Sequence, residues 1–229
     1  MFFPDALARD SVYSVLGKAM NKAEQWASGD VVTGKLSTGR QVRFELFRWP
    51  NERDSGLLAI LQYDFPSASP AMSCPSIGLL VHLFRDGAAW AAKDRYLLET
   101  VHHHSLQGIR LMDLTGRGAY DLVVESNSGG AGTAGSSLQI FDLNRGSFDE
   151  VVATESRMQY MTEDWYTQAL DIGRTRASHG QQFCFSKTAL FEDGKSFRPP
   201  RVTHPCYKQG EGIDSGEVTE RNKMLAPVR

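Results

Sequence analysis

The sequence predicts a mainly β fold, a propeller-like repeat of three to four antiparallel blade units with an N-terminal helix. Three observations carry that expectation. From Val31 onward the chain runs in short β-rich segments broken by Gly, Asp and Pro. A hairpin pattern then recurs, in which an apolar strand meets a polar turn containing Gly and a returning strand. It is seen in Phe84-Arg-Asp-Gly-Ala-Ala-Trp90, Phe141-Asp-Leu-Asn-Arg-Gly-Ser-Phe148 and Phe191-Glu-Asp-Gly-Lys-Ser-Phe197, with a fainter copy at Leu36-Ser-Thr-Gly-Arg-Gln-Val42. Its turn glycines, Gly39, Gly87, Gly146 and Gly194, fall about 50 residues apart, room for one four-stranded blade each. The third observation is Asp113-Leu-Thr-Gly-Arg-Gly-Ala-Tyr-Asp121, where short acids and two glycines make a tight loop that the apolar run Leu122-Val-Val leaves at once.

The elements follow in order. Ala8, Val12, Leu16, Ala19, Ala23 and Trp26 recur at helical spacing, so Asp5 to Ala27 reads as an amphipathic helix. Asp5 is its N-cap and Ser28-Gly29-Asp30 its stop, which sets residues 1–30 apart from a β domain over 31–208. Val42, Phe44 and Leu46 alternate with Arg43 and Glu45, the period of a half-buried strand. Further strands are expected at Leu57 to Tyr63, Ile77 to Phe84, Ile109 to Asp113, Tyr120 to Glu125, Leu138 to Leu143, Phe148 to Ala153, Tyr166 to Ile172, Gln182 to Phe191 and Phe197 to Thr203, with helix confined to the start. Pro66 to Ser76 reads as a long surface loop, and the charged stretch 209–229 as a mobile tail. Asp, Asn and Gly punctuate any set of hairpins, so an all-β sandwich is the alternative architecture.

The Asp113 loop resembles the Asp-x-(Asp/Asn/Thr)-Gly-x-Gly-x-x-Asp loop of FG-GAP/VCBS-type repeats, the blades of integrin-like β-propellers. The resemblance covers this motif and its flanking strands. It implies a binding or interaction module, commonly extracytoplasmic, rather than an enzyme. Calcium is the cofactor it brings up, since Ca²⁺ takes hard oxygens from alternate loop positions and a closing acid. Those positions hold Asp113, Thr115, Arg117 and Asp121. Thr115 is a neutral ligand and Arg117 offers no side-chain oxygen, so the rival state is a metal-free loop in which the Arg117 guanidinium stands in for the cation.

Composition narrows the partners. With 25 basic and 27 acidic residues and a net charge of −2, the chain has no field to collect nucleic acid or an anionic membrane. Its 229 residues, 41% of them hydrophobic, can fill a sizeable core. Met1-Phe-Phe-Pro-Asp lacks the basic start and apolar core of a secretory signal, and no apolar run reaches the length of a membrane span. Cys74, Cys184 and Cys206 have no zinc spacing. A bridge between Cys184 and Cys206 is open on spacing, with two buried free thiols the expected state.

Gly130-Ala-Gly132-Thr-Ala-Gly135 spells G-x-G-x-x-G, yet the following residues alternate like a strand and leave no helix N-terminus for a pyrophosphate. A connection spanning Ser128 to Ser136 between strands explains the glycines, and Ser128, Gly130, Gly132 and Ser136 are its candidate ligand contacts. Adjacent histidines at His102 to His104 point to opposite faces of a strand and do not converge on a metal. There is no G-x-S-x-G or H-E-x-x-H. The function expected is a non-catalytic binding module for a protein or carbohydrate ligand. The alternatives are a hydrolase assembled from His103, His179 or His204 with acids in a central cleft, and a self-associating envelope protein joined at its blade edges.

Overall fold

The computed structural model describes residues 43–50, 56–64, 76–98, 105–130, 132–161, 163–192 and 195–211. The expected N-terminal helix, Gly39, residues 66–75, His102 to His104, Gly194 and residues 212–229 lie outside that set. The strands are β1 (Arg43–Arg48), β2 (Leu57–Asp64), β3 (Ser76–Asp86), β4 (Ala89–Leu97), β5 (Ser105–Met112), β6 (Asp121–Gly130), β7 (Thr133–Asp142), β8 (Asp149–Tyr160), β9 (Glu163–Leu170), β10 (Phe183–Glu192), β11 (Lys195–Thr203) and β12 (Cys206–Tyr207). A short helix, α1 (Ile172–Ala177), interrupts them.

The described residues form an antiparallel meander divided into two sheets. The first has the order β1-β2-β3-β4. The second runs in sequence order from β5 to β11, and β12 pairs with β10. Where β11 leaves the edge of β10, β12 takes it over with Phe183 opposite Tyr207 and Cys184 opposite Cys206. The mainly β expectation is met, and no closed barrel or ring of blades forms among the described residues.

Alternation along the strands dictates how these sheets stack. Leu58 and Ile60 on β2, Leu80 on β3, and Tyr96 and Leu98 at the end of β4 meet Leu122, Val124, Phe141, Leu143 and Phe148 of the second sheet in one core. The intervening Val123 and Ile140 point the other way. There, with Leu114, Leu138, Val151 and Val152, they meet Phe183 and Phe185 of β10 in a second core, flanked by Ile172 and Tyr207. Three successive groups of strands, β1–β4, β5–β8 and β9–β12, are therefore packed face to face, with β5–β8 in the middle. The outer face of the first group, with Leu57, Ala59, Leu61, Leu79, Val81 and Leu83, is buried too. Each fully buried Leu, Val or Phe contributes roughly 1.5–3 kcal/mol, so the two cores dominate stability.

Several sequence expectations need correcting. Helix is not confined to the start, because the strand expected over Tyr166 to Ile172 ends at Leu170 and α1 follows. Asp171 stops the strand by capping that helix, its Oδ1 accepting from Arg174 N at 3.0 Å. Residues 128–136 are not an open connection between strands either. They are the paired end of the β6–β7 hairpin, with Ser128 opposite Gly135 and Gly130 opposite Thr133, since backbone pairing needs no large side chain. The expectation of free thiols fails because Cys184 and Cys206 face each other across β10 and β12 and are joined in a disulfide. β4 was not expected along its length, although the hairpin at Gly87 called for a returning strand. Gly87 and Gly146 do occupy matching turns, β3–β4 and β7–β8, with φ of 61° and 69°. The third hairpin joins β10 to β11, one strand earlier in its group.

Candidate functional site

In a meander the turns fall alternately at two ends of the stack, and the candidate residues divide between them. The Asp113–Asp121 loop, the β7–β8 turn and α1 gather at one end. The β6–β7 and β8–β9 tips share the other, where Met161 N donates to Gly132 O at 2.6 Å.

At the loop end, short side chains close the turn on itself. Asp113 Oδ1 accepts from Arg117 N at 3.1 Å and Oδ2 from Gly118 N at 3.0 Å. Gly116 and Gly118 have φ of 70° and 77°, the left-handed values that glycine reaches without strain. Asp121, only 1% exposed, accepts from Leu114 N at 3.2 Å and so ties the loop's first turn to the start of β6. Burial holds the Asp121 carboxyl up at about 6, the Leu114 N–H opposes this, and the nearby Asp142 adds to it. The Arg117 Nε donates to Thr115 Oγ1 at 2.7 Å, and its Nη2 pairs with Asp142 at 3.3 Å.

This donor set does not fit a calcium ion. Both oxygens of Asp113 already serve backbone N–H groups, Thr115 Oγ1 serves the guanidinium, and the charge facing the acids belongs to Arg117. Asp113, Thr115 and Asp121 do lie in one loop as the motif places them. What sequence reading missed is Asp142, which supplies the acid for Arg117 from the neighbouring turn.

The third strand group braces this end. Arg176 of α1 donates from Nε and Nη2 to Asp113 O, at 3.2 and 2.8 Å. Gly180, with φ of 73°, sits so close that an added Cβ would lie 3.0 Å from Thr115 Cγ2. Thr175 Oγ1 accepts from the buried Cys184 N at 3.0 Å. Tyr207 packs edge-on to Phe185, and Gly210 N donates to Val151 O at 3.0 Å, so the segment after the disulfide straps β10 to β8.

The tip end is built differently. Ser136 Oγ donates to Asn127 Oδ1 at 2.6 Å, and the hydroxyls of Ser126 and Ser137 bond to each other at 2.7 Å. Past Ser105, which pairs with Asn127, the β6–β7 hairpin runs on to Gly130 and Thr133 with β8 paired along it as far as Tyr160. Ser128, Gly130 and Ser136 lie in this paired extension and Gly132 at its turn, so the structure brings all four together. Beside them stand Tyr160, 43% exposed, and Met161, 69% exposed. The Tyr160 ring lies 5.8 Å from that of Trp165. Trp165 has no sequence signal that places it at this tip. Its position depends on the β8–β9 register.

The remaining candidates are scattered. His179 follows α1 with φ of 55°, His204 is exposed between β11 and β12, and His103 lies outside the described residues. Among the described residues no side-chain bond joins His179 or His204 to an acid. A cavity of about 140 Å³ opens between β1–β2 and β5, lined by Glu45, Phe47, Ile60, Gln62, Leu106 and Gln107. It is smaller than the ~300 Å³ at which small-molecule sites begin. The Gly130 to Gly135 glycines span the end of β6 and the start of β7, with no helix after them. Among the described residues no helix is long and apolar enough to cross a membrane. No family model, no curated protein and no solved structure matches the chain.

Proposed function

We propose that the chain is a non-catalytic binding module of the FG-GAP/VCBS-like, propeller-like type, which takes a protein or carbohydrate ligand at the shared tip of β6–β7 and β8–β9. The observation that carries this reading is the exposure of Tyr160 and Met161 beside a strand surface of Gly, Ser and Ala. Large apolar side chains held in water on rigid hairpins favour a ligand that covers them. The small neighbours let a flat partner approach the backbone, and aromatic rings supply contact area at low entropic cost. Face-to-face strand groups with matching turns at Gly87 and Gly146 support the blade-like part of the reading. The Cys184–Cys206 disulfide fits an oxidising, extracytoplasmic compartment.

On this reading the Asp113 loop is a metal-free brace, not a calcium site. The test is a screen of the full chain against immobilised glycans and an extended-peptide library, repeated with Tyr160→Ser/Met161→Ser. At least one ligand class should bind and lose ten-fold or more in affinity in the double variant. Equal binding by both proteins across the screen would sink the tip as the site.

A further inference from the structure

Taking the tip as the ligand site, we infer that Met161 anchors the ligand there, and that the ligand is a polypeptide segment carrying an apolar side chain next to a basic one. Met161 breaks two local preferences at once. Its φ of 53° lies in the left-handed region, where an L side chain crowds the backbone. The other described hairpin turns put glycine there, at Gly87, Gly132 and Gly146. His179, with φ of 55°, is the one other described residue of this kind that is not glycine, and it closes the C-terminus of α1, where a left-handed residue is ordinary. The Met161 side chain is also 69% exposed, more than any other large apolar side chain among the described residues. The backbone does not need methionine here. Met161 N donates to Gly132 O at 2.6 Å, and Tyr160 pairs with Glu163 across the turn. Both hold the turn through main-chain groups, so Asn or Gly would serve it with less strain and no apolar surface in water. A residue that the turn disfavours and the core does not bury points to a partner.

The chemistry of the tip sets the class of that partner. A thioether on a flexible chain offers a sugar hydroxyl little, but it adapts to apolar and aromatic side chains. The Tyr160 and Trp165 rings beside it are inclined by 51° at 5.8 Å, so they do not form one flat platform for a sugar ring. Glu163, the register partner of Tyr160, is exposed, and among the described residues it forms no ion pair. The neighbouring Arg157 is already paired with Asp164 at 2.7 Å, which leaves Glu163 as the charge that a cationic side chain of the ligand meets. An apolar residue for Met161 and Tyr160, with Lys or Arg for Glu163, is the complement. The Gly, Ser and Ala surface of β6–β7 alongside lets an extended main chain lie close.

An extended-peptide library and a glycan array, each probed with the full chain, test this. Binders should come from the peptide arm and be enriched in an aromatic or aliphatic residue beside Lys or Arg. For the tightest of those peptides, measured by calorimetry, Met161→Asn should cost about ten-fold or more in affinity. Met161→Leu should stay within about three-fold of the wild type. Glu163→Gln should cost about two- to five-fold at low salt. Met161→Asn should melt about 2 °C above the wild type, because Asn tolerates the left-handed backbone, so its lost binding is not lost folding. Unchanged affinity in Met161→Asn, a melting temperature below the wild type, binders confined to the glycan arm, or no binder in either arm overturns the proposal. If Tyr160→Ser/Met161→Ser loses binding while Met161→Asn keeps it, the tip stands as the site and Met161 falls as its anchor. If the double variant binds as the wild type does, both fall.

Discussion

The two ends of the sheet stack use small polar residues in opposite ways. At the loop end, Asp113, Thr115, Asp121, Asp142 and Asp171 are turned inward onto backbone N–H groups and arginines, and the disulfide and Tyr207 strap close over them. At the tip end, Asn127, Ser126, Ser136 and Ser137 bond in two local pairs, while Tyr160 and Met161 stand in solvent. The difference separates residues that hold the fold from residues left over for a partner. Substitutions at the loop end should register in stability, and those at the tip in binding.

The largest stability effect expected is at the disulfide. Cys184 and Cys206 are 22 residues apart, and closing a loop of that size removes unfolded-state freedom amounting to about 3 kcal/mol. Reduction with a phosphine, followed by thermal melting, should lower the midpoint by roughly 6–12 °C for a domain of this size. Amides of 206–211 should exchange faster while those of β2 and β3 stay protected. No shift in midpoint would mean that the strap and α1 hold without the bridge, and the contrast between the ends would weaken.

Next in size is a pH effect at Asp121. The unfolded carboxyl titrates near 3.9. In the folded protein burial holds it at about 6, with the Leu114 N–H opposing the shift and Asp142 reinforcing it. Between those values the folded state binds more protons than the unfolded one, so this group's contribution to stability is full below about pH 4 and falls as pH rises through 6. Asp121→Asn keeps an oxygen acceptor for Leu114 N and removes the ionisation. The variant should match the wild type near pH 4 and exceed it at pH 7.5 by an amount of order 2 kcal/mol, read from urea midpoints. A variant less stable than the wild type at pH 7.5 would show that the charged form is what the loop wants.

Arg117 sharpens the comparison further. Its ion pair with Asp142 is half-exposed, which limits Arg117→Ala to a loss of about 0.5–1 kcal/mol. The informative measurement adds calcium. Millimolar Ca²⁺ should leave the wild-type melting temperature unchanged and raise that of Arg117→Asp, where the cationic side chain gives way to an oxygen donor. A calcium-dependent rise in the wild type would return the loop to metal binding.

Legibility of the sequence followed the range of the forces involved. Alternation at Val42 to Leu46 and the apolar run from Leu122 mark strands because side-chain period is local. The turns at Gly87 and Gly146 are legible because only a few residue types reach positive φ cheaply. β4 was hidden because Ala91, Ala92, Lys93 and Asp94 have little strand propensity, and pairing with β3 overrides it. α1 had a visible signal in Asp171 ahead of Ile172-Gly-Arg-Thr, obscured by the strand that precedes it. The pairing of Cys184 with Cys206 and the approach of Asp142 to Arg117 depend on register between strands, which composition does not carry. For the same reason Ser128, Gly130, Gly132 and Ser136 read as an open connection, although they lie in a hairpin paired to its tip with β8.

The smallest stability effect, and the one on which the contrast turns, belongs to the tip. Tyr160 and Met161 touch solvent over much of their surface, and among the described residues no buried hydrogen bond depends on their side chains. Tyr160→Ser/Met161→Ser should therefore fall within about ±0.5 kcal/mol of the wild type in urea unfolding. The backbone bond from Met161 N to Gly132 O survives both changes, so the β6–β7 and β8–β9 tips stay in register. A loss of several kcal/mol would assign these side chains to the fold and leave the tip with no residues free for a ligand. Near-equal stability together with lost binding would place fold and recognition at opposite ends of the same meander.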